Sequence, residues 1–297
     1  MLSILIPTYN YGLKNLVSGL KNALNSVDVA YEVIALEDGS TQYLKENSEA
    51  LNSLNNAQHI ISKTNNGRLT SRLQLAKQAK YDWLLFIDSD VLITEKLYLK
   101  NYLSKINSRY EVIYGGFCYS EEKPDQNQIL RWKYGKTYEQ IDAEKRNKNP
   151  YKVVISGNFL INKTTFIAIN SEIDNDGYGY DNFFGAIMKT KNTKVLHIKN
   201  NVIHSGLDSN SSFLDKVKKS VVTIHNYHIK NPLKLTENSL LETYKSISKI
   251  GITGITSSIF KTTKGSLEKQ LLSHNPNLRL LQFYKLGYLC SLSSHKK

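Results

Sequence analysis

Short apolar runs alternate with amphipathic stretches along the first third of the chain. Residues 2–6, Leu-Ser-Ile-Leu-Ile, predict a strand closed by Pro7, and the loop Pro7-Thr8-Tyr9-Asn10-Tyr11-Gly12 is rich in turn formers. Leu13, Leu16, Val17, Leu20 and Leu24 then recur at helical spacing over residues 13–26. A second strand over 31–36 ends in Glu37-Asp38-Gly39-Ser40, a helix is expected over 43–57, and a short third strand over 59–62. Asn65-Asn66-Gly67 reads as a turn before a helix over 68–80, which carries Leu69, Leu73, Leu75, Ala76 and Ala79. Leu84-Leu85-Phe86-Ile87 has the unbroken apolar character of a buried strand. This β-loop-α repetition predicts an α/β fold built on a parallel sheet with helices on both faces.

Beyond residue 90 the pattern loosens. It predicts a helix over 97–106, a strand over 111–114, and a polar excursion over 120–150 containing a helix. Residues 153–155 and 159–162 look like strand material around Ser156-Gly157-Asn158, and a Gly/Asp-rich loop follows at 174–181. A late strand over 194–198 leads to Val202-Ile203-His204. From residue 212 onward the chain reads as helices, with Pro232 and Pro276 marking starts or breaks. We therefore divide it into a catalytic domain, residues 1–211, and a basic helical extension, residues 212–297.

A length of 297 residues can bury a sizeable core, and 40% apolar with 22% charged residues is ordinary for a globular protein. Cys118 and Cys290 make no disulfide framework, so a reducing compartment is expected. No basic segment precedes the first strand, so no signal peptide is expected either. The uncharged stretch 250–260 is 11 residues long and too polar to span a bilayer. The expected location is the cytoplasm, with the inner face of the cytoplasmic membrane as the alternative.

The net charge of +13 is concentrated at one end: residues 215–297 hold 14 Lys/Arg against 4 Asp/Glu. That excess is either a solvated surface or a face for an anionic membrane or acceptor. The basic residues are scattered and no nucleic-acid-binding motif accompanies them, so nucleic acid is not expected as a partner.

Candidate chemistry gathers at the strand ends. Asp88 and Asp90 follow the fourth strand at i, i+2 spacing, which on a strand would point both carboxylates to one side. The C-terminal edge of an open α/β sheet is where ligands bind, and two hard oxygen donors there suit Mg²⁺ or Mn²⁺ carrying a diphosphate. An ordinary acidic turn is the competing explanation. Tyr9 can stack on a base, and Asp38 can accept from an imide N–H or a ribose hydroxyl. Neither G-x-G-x-x-G nor G-x-x-x-x-G-K-[ST] occurs, so a metal rather than a glycine loop must neutralise the phosphates. Arg68 and Arg72 lie four apart near the start of a helix, on one face that suits a phosphate. His204 is either a surface histidine or a further ligand.

This ordered set resembles the family 2 glycosyltransferases of the GT-A fold. The resemblance rests on Ile4-Leu5-Ile6-Pro7-Thr8-Tyr9-Asn10, Glu37-Asp38-Gly39-Ser40, Asn66-Gly67-Arg68 with Arg72, and Phe86-Ile87-Asp88-Ser89-Asp90. It continues through Tyr134-Gly135, Arg146, Ser156-Gly157-Asn158-Phe159, Gly177-Tyr178-Gly179-Tyr180-Asp181 and His204, covering roughly residues 1–210. It implies a metal-dependent transferase that takes a sugar from a nucleoside-diphosphate donor to a glycan or lipid-linked saccharide. Bacterial surface-polysaccharide assembly is the usual setting of such relatives. It further implies a nucleotide site made by Pro7, Thr8, Tyr9, Glu37, Asp38, Arg68, Arg72 and Asp88. The counterpart of Asp38 binds the base, and that of Asp88 contacts ribose or metal. Asp90, with Asp88 and His204, matches the ligands of Mn²⁺ or Mg²⁺. Glu37 stands where the family more often has Asp and keeps the charge.

The family's usual Glu-Asp pair is replaced by Asp181-Asn182, and an amide cannot accept the acceptor's proton. Neighbours at a helix start point roughly 100° apart, so Asp181 does not automatically stand in for its neighbour. Asp181 as catalytic base with inversion is the favoured reading. A retaining mechanism and a nucleotide-sugar- or glycan-binding protein with impaired turnover are the alternatives. In the extension, Phe213, Leu214, Val217, Val221, Val222, Ile224 and Tyr227 form one apolar set, and Leu278, Leu280, Leu281, Phe283, Tyr284, Leu286 and Tyr288 another. These sets either pack inward or make a peripheral membrane contact.

Overall fold

The computed structural model describes residues 1–106, 108–173, 178–230 and 238–293. Along the chain run β1 (Leu2–Thr8), α1 (Lys14–Leu24), β2 (Tyr31–Asp38), α2 (Leu44–Leu51), β3 (Ala57–Ser62), α3 (Arg68–Gln78), β4 (Trp83–Ile87) and β5 (Val91–Leu92). Then come α4 (Tyr98–Leu103), β6 (Val112–Tyr114), β7 (Phe117–Cys118), α5 (Ile129–Tyr138), α6 (Ala143–Asn147), β8 (Asn158–Asn162), α7 (Lys163–Asn170) and α8 (Asp181–Thr190). The chain finishes with β9 (Val195–His197), β10 (Val202–His204), α9 (Asn210–Lys230), α10 (Ser239–Lys249), α11 (Thr253–Leu271) and α12 (Leu278–Ser293). Contacts divide it into two compact units, one of residues 1–120, 139–176 and 191–206, the other of 121–138, 177–190 and 207–297.

The first unit is built on a seven-stranded sheet ordered β3-β2-β1-β4-β8-β6-β9. The β-loop-α repeat places β3, β2, β1 and β4 side by side and parallel, with Leu5 opposite both Ile34 and Phe86. β1 and β4 carry unbroken apolar runs because both their faces are covered: Ile4, Leu5, Ile6, Leu84, Leu85 and Phe86 are all fully buried. β8 then enters antiparallel between β4 and β6, making the sheet mostly rather than wholly parallel. Phe86, Phe159 and Tyr114 stack across these three strands, and Phe166 of α7 closes on Phe86 at 4.7 Å.

Pro7 does not close β1. The strand continues to Thr8, with Pro7 opposite Leu36, and pairing with β4 has already ended at Leu5. The ring therefore sits where one side of the strand has no ladder left to lose. The second helix is also shorter than its periodicity suggests: α2 stops at Leu51, and Asn56, with a left-handed φ of 54°, turns the chain into β3. Residues 153–155 form no strand, while α7, missed by the periodicity, starts where the Asn162 side chain accepts from the amides of Thr164 and Thr165. Residues 174–177 of the Gly/Asp-rich loop, and Pro232, lie outside the described residues.

The second unit holds α5, α8 and α9–α12. Its core joins Leu130, Phe213, Leu214, Val217, Phe260, Leu267, Leu271, Leu281 and Tyr284. Much of each apolar set in the extension, including Phe213, Leu214 and Val217 of one and Leu281 and Tyr284 of the other, therefore packs inward. Among the described residues no helix is long and apolar enough to cross a membrane.

Candidate functional site

Because β1, β2 and β4 are parallel, their C-terminal ends fall at one edge, and the candidate residues of the first unit gather there. Asp38 ends β2. Its Oδ1 accepts from the Asn66 amide at 2.8 Å and its Oδ2 from the Gly67 amide at 2.9 Å. The carboxylate thus fixes the turn that launches α3, whose capping position, Gly67, has φ 87° and suits glycine. Asn10, itself left-handed with φ 49°, ties this edge together: its Oδ1 accepts from the amides of Thr41 and Gln42, and its own amide donates to Ser40 Oγ. Tyr9, next to it, is 54% exposed.

Arg72 is buried along α3 and reaches the β4 end, where its Nη2 donates to Asp88 Oδ1 and lies 3.4 Å from the Ser156 carbonyl. The Asp88 amide donates to the Gly157 carbonyl at 3.0 Å. Gly157 must lack a side chain, since an added Cβ would stand 2.5 Å from Asp88 Oδ2 and 2.7 Å from the Phe117 ring. Asn158, next in sequence, is fully buried and anchors this corner. It accepts from the hydroxyls of Tyr98 and Tyr102, each at 2.7 Å, and donates to the carbonyls of Gly116 and Asn200. Burial pushes both tyrosine hydroxyls well above their ordinary pKa, so they stay protonated donors.

Asp88 and Asp90 do not share a strand face as their spacing suggests. β4 ends at Ile87, and the two aspartates sit in the turn before β5. Each has its own partner. β5 pairs antiparallel with β10, setting Val91 opposite His204, and this short contact brings His204 Nε2 to 3.5 Å from Asp90 Oδ2. The backbone closes the arrangement: the Asp90 carbonyl accepts from the amides of Ser205 and Gly206 and from Ser205 Oγ. The His204 ring packs edge-on to Phe117 at 5.2 Å and against Tyr119 at 5.6 Å, which fixes its plane.

Two donors each about 2.1 Å from a common ion stand at most about 4.2 Å apart, so the Asp90–His204 pair fits one cation. A mixed imidazole–carboxylate pair is acceptable to Mn²⁺ and poorer for Mg²⁺, which favours oxygen. Among the described residues no group of three or more His, Cys, Asp or Glu side chains comes together to hold a metal. Any ion here needs further oxygens from a ligand.

Glu37 does not join this set. It is fully buried, and its Oε1 accepts from Asn47 Nδ2 at 2.7 Å and lies 3.3 Å from His59 Nε2. Asn47 in turn bonds the Tyr11 carbonyl and the Leu13 amide. Successive strand residues face opposite ways, so the Glu37 carboxylate holds the β1–α1 loop while Asp38 faces the α3 turn. Thr8 is 2% exposed, and Arg68 is exposed on the first turn of α3.

Arg146, part of the sequence resemblance, is a buried structural cation that donates to the carbonyls of Ile141, Gly115 and Ile198 and to His197 Nδ1. Gly157, part of the sequence resemblance, and Gly206, two residues after His204, carry no functional group, and the close approach that requires glycine at each is visible only in the structure.

Asp181 belongs to the second unit, where it is half-buried in the first turn of α8. An acidic side chain there suits the helix dipole. Asn182 is exposed, and its amide donates to the Gly179 carbonyl and accepts from Asn238. A surface cavity of about 560 Å³ in the same unit is lined by Trp132, Lys133, Lys136, Asn275 and Asn277 among others; no expected site residue lines it.

The family model described as Glycosyl transferase family 2 matches residues 3–169. The uncharacterized glycosyltransferase MG060 of Mycoplasma genitalium is 26% identical over 235 residues, covering 74% of this chain and 71% of its own. Among solved structures, mannosyltransferase PcManGT from Pyrobaculum calidifontis, in complex with GDP-Man and Mn²⁺, is similar with a TM-score of 0.58 at 10% identity. That likeness covers 99% of this chain and 86% of that one. S. aureus TarS 1-349 gives a TM-score of 0.51 at 16% identity, covering 99% and 92%. The architecture is that of the GT-A fold.

Proposed function

The chain belongs to glycosyl transferase family 2, and on that basis we propose that it moves a sugar from a nucleoside-diphosphate sugar to a hydroxyl of a glycan or lipid-linked saccharide. The observation that carries this reading is the meeting of Asp90 and His204, 114 residues apart in the chain, beside the Arg72–Asp88 pair at the sheet's C-terminal edge. Asp90 and His204 would hold Mn²⁺, a reading supported by the presence of that ion in the similar mannosyltransferase. Bound there, the ion supplies a positive centre that offsets charge developing on the leaving diphosphate.

The remaining groups bind and orient. The exposed ring of Tyr9 offers a stacking face for the base. Asp38 keeps the Asn66–Gly67 turn in place and retains lone pairs for the nucleoside, since each carboxylate oxygen can accept more than once. Arg72 fixes Asp88 toward the ribose, and Arg68 stands exposed in the first turn of the same helix, on the side that suits phosphate oxygens. Asp181 would take the proton of the acceptor hydroxyl, giving inversion at the anomeric carbon. Asn182 lacks the basicity for that step, and its amide is already used by Gly179 and Asn238.

The test is release of nucleoside diphosphate from a panel of nucleotide sugars with candidate acceptors, in Mn²⁺ and in EDTA. Mn²⁺-dependent release that disappears in Asp90→Asn supports the transferase. Nucleotide binding without donor consumption across the panel would leave a binding protein. An axial product from an axial donor bond would replace inversion by retention.

A further inference from the structure

We propose that the corner between α10 and α11 in the second unit docks on an anionic lipid bilayer. The corner presents Ile250, Ile252, Ile255 and Ile259 to solvent at 69, 36, 62 and 48% exposure. Four exposed isoleucines within ten residues are not the scatter of single apolar groups that any surface carries. Helix geometry concentrates them. α11 turns Phe260, Leu267 and Leu271 into the core, which leaves Ile255 and Ile259, one turn apart, on the outward side.

The turn is built to project. Gly251 closes α10 with φ 76°, and its amide and that of Ile252 bond back to the carbonyls of Ser248 and Ile247. Nothing lies within 4 Å of a Cβ added at Gly251 or Gly254. Ile252 occupies the capping position of α11 and supplies no side-chain cap to the first-turn amides. In water this is a poor helix start. Against a bilayer it puts an apolar side chain at the acyl boundary and open amides near the headgroup phosphates.

Charge selects the occupant. Residues 243–267 contain Lys245, Lys249, Lys261 and Lys264 and no Asp or Glu. Lys249, Lys261 and Lys264 are exposed. Long lysine stems can lie along the interface while their ammonium groups meet anionic lipid. A second copy of the chain would bring like charges together. It would also bury isoleucine surface on the order of a few hundred Å², short of the ~800 Å² per partner of a standard protein interface.

The proposal does not depend on the transferase reading, because its test uses no donor. The full chain is sedimented with vesicles of phosphatidylcholine alone and of phosphatidylcholine with phosphatidylglycerol in equal parts. The wild type is expected to sediment with the anionic vesicles and at least about tenfold less with the neutral ones. Ile250→Ser with Ile255→Ser should lower anionic binding by about tenfold or more, and Lys249→Gln with Lys261→Gln should remove the preference for anionic lipid. Leu272→Ser, at the far end of α11 and 43% exposed, should bind as wild type. Absence of wild-type sedimentation with anionic vesicles overturns the proposal. So does undiminished binding by the double serine variant, or an oligomer in solution that this variant dissociates.

Discussion

Gly206 stands so close to Asp90 that a methyl group added at its Cα would lie 2.5 Å from both Cβ and Oδ2 of Asp90. The Gly206 amide also donates to the Asp90 carbonyl at 3.2 Å, so backbone and carboxylate are fixed from one side by a residue that must be glycine. Gly206→Ala is therefore expected to fold, because the clash falls on a partly exposed side chain, but to displace the carboxylate from His204. Mn²⁺-dependent transfer should drop about a hundredfold, in line with the loss of groups that orient metal ligands. Circular dichroism together with activity separates this from unfolding.

Arg72→Lys should show that the Arg72–Asp88 pair is not a generic charge contact. A guanidinium reaches both Asp88 and the Ser156 carbonyl from a buried position; an ammonium is shorter, more strongly hydrated and lacks the fork. The expected result is a donor KM raised tenfold or more, with a lowered melting temperature. An unchanged KM would remove Asp88 from the nucleotide site.

Acid should weaken the first unit through His197. Burial is the largest cause and the Arg146 cation adds to it, pulling its pKa from about 6.5 down to about 4 against the opposing effect of the Nε2–H bond to the Pro150 carbonyl. A group with a depressed folded pKa stabilises fully above its unfolded pKa, because the unfolded chain takes up the proton first as pH falls. Stability should decline from about pH 6.5 to about pH 4 by roughly 3 kcal/mol and then level off in this respect. Urea unfolding across that window tests it, and His197→Asn should flatten the slope.

Asp181→Asn isolates the base. If Asp181 takes the acceptor proton, kcat falls by about 10²–10⁴ with donor KM held, and Asn182→Ala keeps most of the activity. A retained kcat in Asp181→Asn would favour a mechanism in which the leaving diphosphate receives the proton.

The legible parts of this molecule are those where one physical signal dominates. β1, β2 and β4 announce themselves as apolar runs because a parallel strand covered on both faces has no polar side to show. α1 follows its leucine spacing for the same kind of reason, burying Leu16, Val17, Leu20 and Leu24. β5 and β7, two residues each, carry no period at all, yet β5 and the short β10 bring His204 to Asp90. Glu37 and Asp38 look equivalent in sequence and are separated only by strand alternation, which sends one to Asn47 and the other to the α3 turn. The apolar sets of the extension resemble a membrane face until their core partners are known, while the exposed isoleucines lie in a stretch whose glycines and hydroxyl residues hide the pattern.

The central claim is that Asp90 and His204 hold a divalent cation tightly only together with a diphosphate. Calorimetric titration of Mn²⁺ into the protein, alone and with each common nucleoside diphosphate, tests it most directly. Weak binding alone, tightened at least tenfold by one nucleotide and abolished in Asp90→Asn and His204→Gln, is the expected result. Mn²⁺ binding that ignores every nucleotide, or that survives both substitutions, would contradict it.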